Sequence, residues 1–287
     1  MTAEQPQVAW LGDTRLSDVA TVGGKAAALS SLTAAYPVPP GFVLTTYAHE
    51  RVRDEGHEAV TELVTEHYSR LNDVVGAVDV AVAVRSSAVD EDSAGASFAG
   101  QHDTYLNVSG RDAVVEAACA CFDSAESEHA LRYREEQGLD STDIRVAVLI
   151  QQLVPADVAA VAFSANPISG SREEVVINAS WGLGESIVGG TVTPDTFIVQ
   201  KSDLTITGRW LGDKEVMTVP IAGGTRDDMV PEDVRGQAAL SDTQILDLTR
   251  MTLDLEERHG FAVDIETAFH KEQLYLLQSR PITTLSD

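Results

Sequence analysis

"DIETAFHKEQLYLLQSRPI", residues 264–282, reads as apolar strand, yet it carries a carboxylate, an amide and a guanidinium where core side chains could sit. Folded as a hairpin, with 264–269 antiparallel to 275–280 across a loop at 270–274, it sets Glu266 opposite Gln278 and Asp264 opposite Arg280. Side chains alternate faces along a strand, so these four share one side, with opposed pairs roughly 5 Å apart. Ile265, Thr267, Phe269, Tyr275, Leu277 and Ser279 take the other, largely apolar side. A face bearing Glu, Gln, Asp and Arg is either a solvated sheet surface or a site, since antiparallel sheets often keep one face wet. The rest of the chain has to decide between them.

A chain of 287 residues has room for one large domain or two lobes with a sizeable core. Its hydrophobic fraction of 44% and charged fraction of 23% suit a soluble globular protein. No apolar run approaches the roughly 18 residues of a membrane span. The opening residues, MTAEQPQVAW, lack the basic-then-apolar pattern of a secretion signal, so a cytoplasmic location is expected. A net charge of −25 argues against nucleic acid or an anionic membrane as the main partner. Lysine occurs only at positions 25, 201, 214 and 271, which makes each lysine beside a motif informative. Cys119 and Cys121, two apart on an expected helix, read as buried small residues rather than a disulfide or metal pair. The seven histidines form no cluster at ligand spacing, and neither a Ser-His-Asp order nor a nucleophile elbow is present.

Along the chain, residues 23–35 read as a glycine turn opening an Ala/Leu-rich helix, and 37–46 as a Pro/Gly turn into a strand. A polar helix pattern follows over 48–74. Residues 80–88 form a buried strand, 91–108 a long small-residue loop, and 111–136 a helix. Strands are predicted over 145–154, 158–165 and 174–180, with glycine-rich punctuation at 181–195. Residues 222–239 read as a mobile connection. At Ser241 "SDTQ" has capping-box spacing, with an apolar stripe of Ile245, Leu248, Met251 or Thr252, and Leu255, stopped by Gly260. The mixture is α+β with mostly antiparallel strands, divided into lobes of residues 1–200 and 201–287.

Lys25 follows Gly23-Gly24 at a helix start, where unpaired backbone N–H groups and the helix dipole favour an anion. It is either a phosphate clamp or a solvated lysine, and the Walker A spacing is absent. Arg85 ends an otherwise apolar strand, where a guanidinium is held by an anion or by a structural carboxylate. The loop 93–101, SAGASFAGQ, has the small residues that let backbone close over phosphates.

Taken in order, "VGGKAAALSSL", "PVPPGFVLTT", "VAVRSSAVDEDSAGASFAGQHDTYLNV", "VLIQQLV", "WGLGESIVGGTVTPDTFIV" and "DIETAF…LYLLQSRPI" resemble the ATP-binding domain of the dikinases, across about residues 10–283. That group includes phosphoenolpyruvate synthase, pyruvate phosphate dikinase and rifampin phosphotransferase. The resemblance implies a two-lobed ATP-grasp fold with nucleotide in the cleft and ATP and Mg²⁺ as cofactors. Carried over by position, Lys25 and Arg85 match phosphate-binding cations, and Gly100 and Thr104 match the loop over the nucleotide. Gln151 matches a nucleotide contact, Glu266 and Gln278 match Mg²⁺ ligands, and Arg280 matches a phosphate contact. Lys25, Arg85 and Arg280 are thus the implied catalytic cations.

Two positions depart from the family pattern. Residues 159–164 read AAVAFS where SGVAFT is common, and His129-Ala130 stands where an Arg-Ala pair is usual. The family passes a phosphoryl group to a histidine in a motif like TGG-x-[TS]-SH on a swivelling domain, and then to an acceptor. No histidine here has that context, His102 in the small-residue loop included. The resemblance therefore implies the ATP half of a phosphotransferase, partnered by a phosphocarrier-histidine domain or subunit and an acceptor-binding domain. The alternative is a nucleotide-binding regulatory module that has lost transfer.

Overall fold

The computed structural model describes residues 5–13, 18–89, 104–127, 130–132 and 144–283. Gly100, His102 and His129 lie outside the described residues. Short aliphatic runs form most of the strands, and all pairs in the two larger sheets are antiparallel. The architecture is α+β. The chain divides into two compact units, Met1–Leu153 with Ala222–Gly224, and Val154–Ile221 with Thr225–Asp287. A boundary near residue 200 is thereby corrected: it would cut between two strands that pair in one sheet.

The first unit is built on a five-stranded sheet of order β1-β2-β5-β3-β4. Its strands are β1 (Val8–Trp10), β2 (Gly41–Leu44), β3 (Val82–Ala88), β4 (Thr104–Val108) and β5 (Val146–Gln152). Phe42, Leu44, Val82, Val84, Val148 and Ile150 point to one face. There they meet α2 (Thr46–Glu55), α3 (Glu58–Val75) and α4 (Arg111–Ala125) through Val52, Val60, Val64, Leu71 and Phe122. The polar pattern over 48–74 is thus two helices, parted at Gly56, whose φ of 84° lies in the left-handed region. The alternate strand residues, Val43, Ala83 and Leu149, are buried on the other face, where α1 (Val19–Leu32) packs on β3 and β5.

The second unit carries a six-stranded sheet of order β13-β12-β6-β7-β8-β9. These are β6 (Val158–Phe163), β7 (Glu174–Trp181), β8 (Asp195–Gln200), β9 (Ile206–Trp210), β12 (Val263–His270) and β13 (Gln273–Pro281). Ala160, Ala162, Ile177, Phe197 and Ile265 are buried on one face. Helix α7 (Asp242–His259) packs there through Ile245, Leu248, Thr252 and Leu255. Ser164, in phase with Ala162, ties that face to the helix: its hydroxyl donates to Glu256 at 3.0 Å and accepts from Val263 N at 2.8 Å. The expected capping box at Ser241 and Gln244 is present, and Gly260 closes the helix in a left-handed conformation. Thr252 rather than Met251 continues the buried stripe.

Residues 222–239 are not an irregular connection. They contribute β11 (Gly224–Met229), paired with β10 (Val216–Ile221), and the short α6 (Glu232–Arg235). Both faces of β11 are at least partly exposed, so GTRDDM carries no apolar alternation to announce a strand. The glycine-rich 181–195 stretch includes α5 (Glu185–Val188), and Gly182 there has positive φ with a Cβ position only 2.5 Å from Thr218 O.

The rarity of lysine acquires a meaning at Lys214, which is fully buried and ion-paired to the fully buried Asp195. Asp195 also accepts from Gly212 N at 2.9 Å and Ala239 N at 2.7 Å, while Lys214 donates to Gly212 O at 3.2 Å. One charge pair therefore ties three chain segments around the start of β8. Removing one partner of such a pair strands the other charge in the interior. Lys214→Met is expected to cost about 3–5 kcal/mol in urea unfolding. Lys214→Met combined with Asp195→Leu is expected to cost less than the single change, and a larger loss in the double variant would contradict this.

Candidate functional site

The hairpin β12–β13 has the register read from its sequence: Asp264 pairs with Arg280 and Glu266 with Gln278. The turn is tighter than expected. His270 pairs with Gln273, and both turn residues, Lys271 and Glu272, have positive φ, as a two-residue type I′ hairpin requires. A bulge between Glu266 and Thr267 absorbs the difference, so Thr267 pairs with Leu276 and Phe269 with Leu274. Leu274 and Leu276 are buried where Tyr275 and Leu277 were expected to be, while Ile265, Thr267, Phe269 and Ser279 are buried as expected. Tyr275 instead pairs with Ala268, in phase with Glu266.

On the polar face, Arg280 donates from Nε and Nη2 to Oδ2 of Asp264, each at 2.8 Å. The other carboxylate oxygen of Asp264 is buried without a partner. Burial pushes the Asp264 carboxyl above its usual range, Arg280 pulls it back, and the neighbouring Glu266 charge pushes it up further. Glu266 is half-buried and Gln278 buried, and neither side chain has a hydrogen-bond partner among the described residues. An orphaned carboxylate oxygen, a second carboxylate and an amide oxygen on one face are the hard donors that Mg²⁺ takes, usually beside substrate phosphates and water. The donor set fits that ion. Among the described residues no group of three His, Cys, Asp or Glu side chains converges as a softer metal would require.

In the first unit, β3 brings a second group together. Arg85 lies between Leu149 of β5 and Thr104 of β4. Thr104 is therefore the first residue of a strand beside Arg85. Arg85 does not end its strand, since β3 continues to Ala88; Lys25 Nζ donates to Ser86 O at 3.1 Å, holding the ammonium beside the next residue of the strand. The cause is Gly23. Helix α1 begins earlier than expected, at Val19, capped by Asp18 through Thr21 N, and is kinked at Gly23. At Gly23 φ is 75° and a Cβ would lie 1.9 Å from Ser87 O. Only a residue without a side chain admits that approach, and it lets Ser87 Oγ accept from Ala26 N at 3.2 Å. The glycine turn thus opens the Ala/Leu-rich part of the helix, as expected, after a short helical turn that precedes it, and fixes Lys25 against β3.

Gln151 is buried on β5, and its Nε2 donates to Pro39 O at 3.0 Å, leaving its carbonyl oxygen for any ligand. Opposite it, Gly41 has no room for a side chain, a Cβ there falling 2.6 Å from Ile150 O. Ala159, one of the departures from the family pattern, is buried beside Gly184. The predicted residues thus form two groups, Lys25, Arg85 and Thr104 in one unit and Glu266, Gln278 and Arg280 in the other. Asp264 was visible as the partner of Arg280, but its unsatisfied oxygen was not. Among the described residues no helix is long and apolar enough to cross a membrane.

The signature of the family described as "Pyruvate phosphate dikinase, AMP/ATP-binding domain" matches residues 53–287. A probable phosphoenolpyruvate synthase of Methanocaldococcus jannaschii is 39% identical over 97% of this chain and 27% of its own length. Another, of Methanothermobacter thermautotrophicus, is 35% identical over 98% of this chain and 46% of its own. A rifampicin phosphotransferase of Streptomyces sviceus is 36% identical over 94% and 35% respectively. The chain spans less than half the length of each of these relatives.

The raised carboxyl of Asp264 has a consequence for stability. The unfolded chain releases this proton at lower pH than the folded one. Ionising Asp264 therefore costs nothing below its unfolded pKa and costs most once pH exceeds the folded value. Asp264→Asn is expected to melt above wild type at pH 7, with the gap closing towards pH 4. Melting curves across that range check this. A variant that melts lower at every pH would show that the Arg280 ion pair outweighs the burial.

Proposed function

The chain belongs to the family of pyruvate phosphate dikinase AMP/ATP-binding domains, and from that premise we propose that it is the MgATP-binding component of a dikinase-type phosphotransferase. It passes a phosphoryl group from ATP to a histidine on a separate domain or subunit, from which a small-molecule acceptor takes it. The observation that carries this reading is the polar face of the hairpin, where Glu266, Gln278 and the orphaned oxygen of Asp264 stand beside Arg280. An ATP-grasp fold, with Lys25, Arg85, Thr104 and Gln151 as further nucleotide-binding residues, is part of the proposal.

In this reading Glu266 and Gln278 hold Mg²⁺, which neutralises charge on the phosphates when bound. Lys25, Arg85 and Arg280 contribute the cationic donors, and Asp264 keeps Arg280 aimed across the hairpin. The β-phosphoryl moves to a histidine nitrogen: a P–N bond forms as the P–O bond to AMP breaks, and the γ-phosphoryl leaves as phosphate with the elements of water. Such transfers have loose transition states, so positioning and charge neutralisation are the main contributions expected of the protein. The names of the relatives suggest a pyruvate-like acid or an antibiotic hydroxyl as final acceptor.

The test is labelling with [β-³²P]ATP and Mg²⁺. Incubated alone, the chain is expected to show slow hydrolysis and no stoichiometric acid-labile phosphohistidine. With a histidine-bearing domain from one of the relatives, label is expected on that domain, with AMP released. Stoichiometric label on this chain by itself would contradict the proposal. Nucleotide binding without label on any partner would favour a regulatory module instead.

A further inference from the structure

The six-stranded sheet carries one transverse row in which Gln278, Glu266, Val161, Asn178 and Thr196 stand opposite one another on successive strands. The row lies on the face away from α7, and Glu266, Val161, Asn178 and Thr196 are all half-buried. Asparagine is depleted from strands because its amide competes for backbone hydrogen bonds. Asn178 nevertheless occupies the middle of β7, a central strand. Its side chain is oriented: Thr196 Oγ1 donates to Asn178 Oδ1 at 2.9 Å. The amide nitrogen is then turned away from Thr196, and it has no hydrogen-bond partner among the described residues.

Neighbouring strands lie about 4.8 Å apart, so Asn178 stands roughly 10 Å from Glu266, with Val161 between them. Both side chains stand on the same face, on either side of Val161. Val161 separates them with a short apolar side chain that competes for no polar contact. A ligand oxygen reached by a metal at Glu266 is therefore within reach of an N–H donor from the opposite side. Phosphate oxygens are the acceptors for which such a donor is most effective, because the bond is charge-assisted.

We propose that Asn178, oriented by Thr196, is a further nucleotide-binding residue that donates its amide N–H to a phosphate oxygen of Mg²⁺-bound ATP. This rests on the MgATP site proposed above. The full chain is titrated calorimetrically with MgATP and, separately, with adenosine, for wild type, Asn178→Ala, the isosteric Asn178→Asp, and Thr196→Val. Asn178→Ala is expected to weaken MgATP about tenfold, the effect of losing one hydrogen bond to a charged group, and to leave adenosine unchanged. Asn178→Asp, which sets a carboxylate against phosphate, is expected to weaken MgATP more than Asn178→Ala does. Thr196→Val is expected to act in the same direction but less, through lost orientation. Unchanged MgATP affinity in both Asn178 variants, or parallel loss of adenosine, would overturn the assignment. Wild type that failed to bind MgATP would overturn the proposed function itself, a distinct result.

Discussion

The register of β12 between β13 and β6 is the constraint on which the candidate site depends. A slip of one residue would carry Glu266 and Asp264 to the face packed on α7 and bring Ile265 and Thr267 out. What prevents it is the burial of Ile265, Thr267 and Phe269 against apolar partners, backed by the Thr267 hydroxyl on Ala160 O at 3.0 Å. The apolar side of the strand thus sets the position of the polar side. The bulge after Glu266 works the same way, restoring Leu274 and Leu276 to the core while leaving the pairs Glu266–Gln278 and Asp264–Arg280 undisturbed.

The other unit places its cations by a close backbone approach. Gly23 brings α1 within a hydrogen bond of Ser87, and Lys25 follows to the carbonyl of Ser86, one residue beyond Arg85. Two basic side chains are concentrated at the middle of β3 in a protein whose net charge is −25. Local geometry rather than overall charge makes anion binding there feasible.

Much of this was legible before any coordinates. The alternation in residues 264–282 implied both cross-strand pairs, and the order of motifs implied the family. The helix at Ser241 was announced by its cap, stripe and terminal glycine. Other features lacked a local signal. The bulge depends on which leucines find the core, a question of partners and not of pattern. The pairing of Thr104 with Arg85 is a long-range contact that neither segment encodes alone. The strand β11 is hidden because neither face is buried, and the helical turn before Gly23 and its close approach to Ser87 have no signal in the glycine pair itself. The scarcity of lysine carried no hint of which lysine would be buried, and the use of Lys214 as a tether required knowing where Asp195 lies.

As proposed, the polar face of the hairpin is the metal and phosphate floor of a nucleotide site. Electron paramagnetic resonance of Mn²⁺ substituting for Mg²⁺ addresses it directly, because free and protein-bound ion differ in signal. With ATP present, wild type is predicted to hold one tightly bound Mn²⁺, while Glu266→Ala and Gln278→Ala each lose or strongly weaken it although both remain folded. Nucleotide-dependent Mn²⁺ binding of equal strength in wild type and both variants would contradict the account.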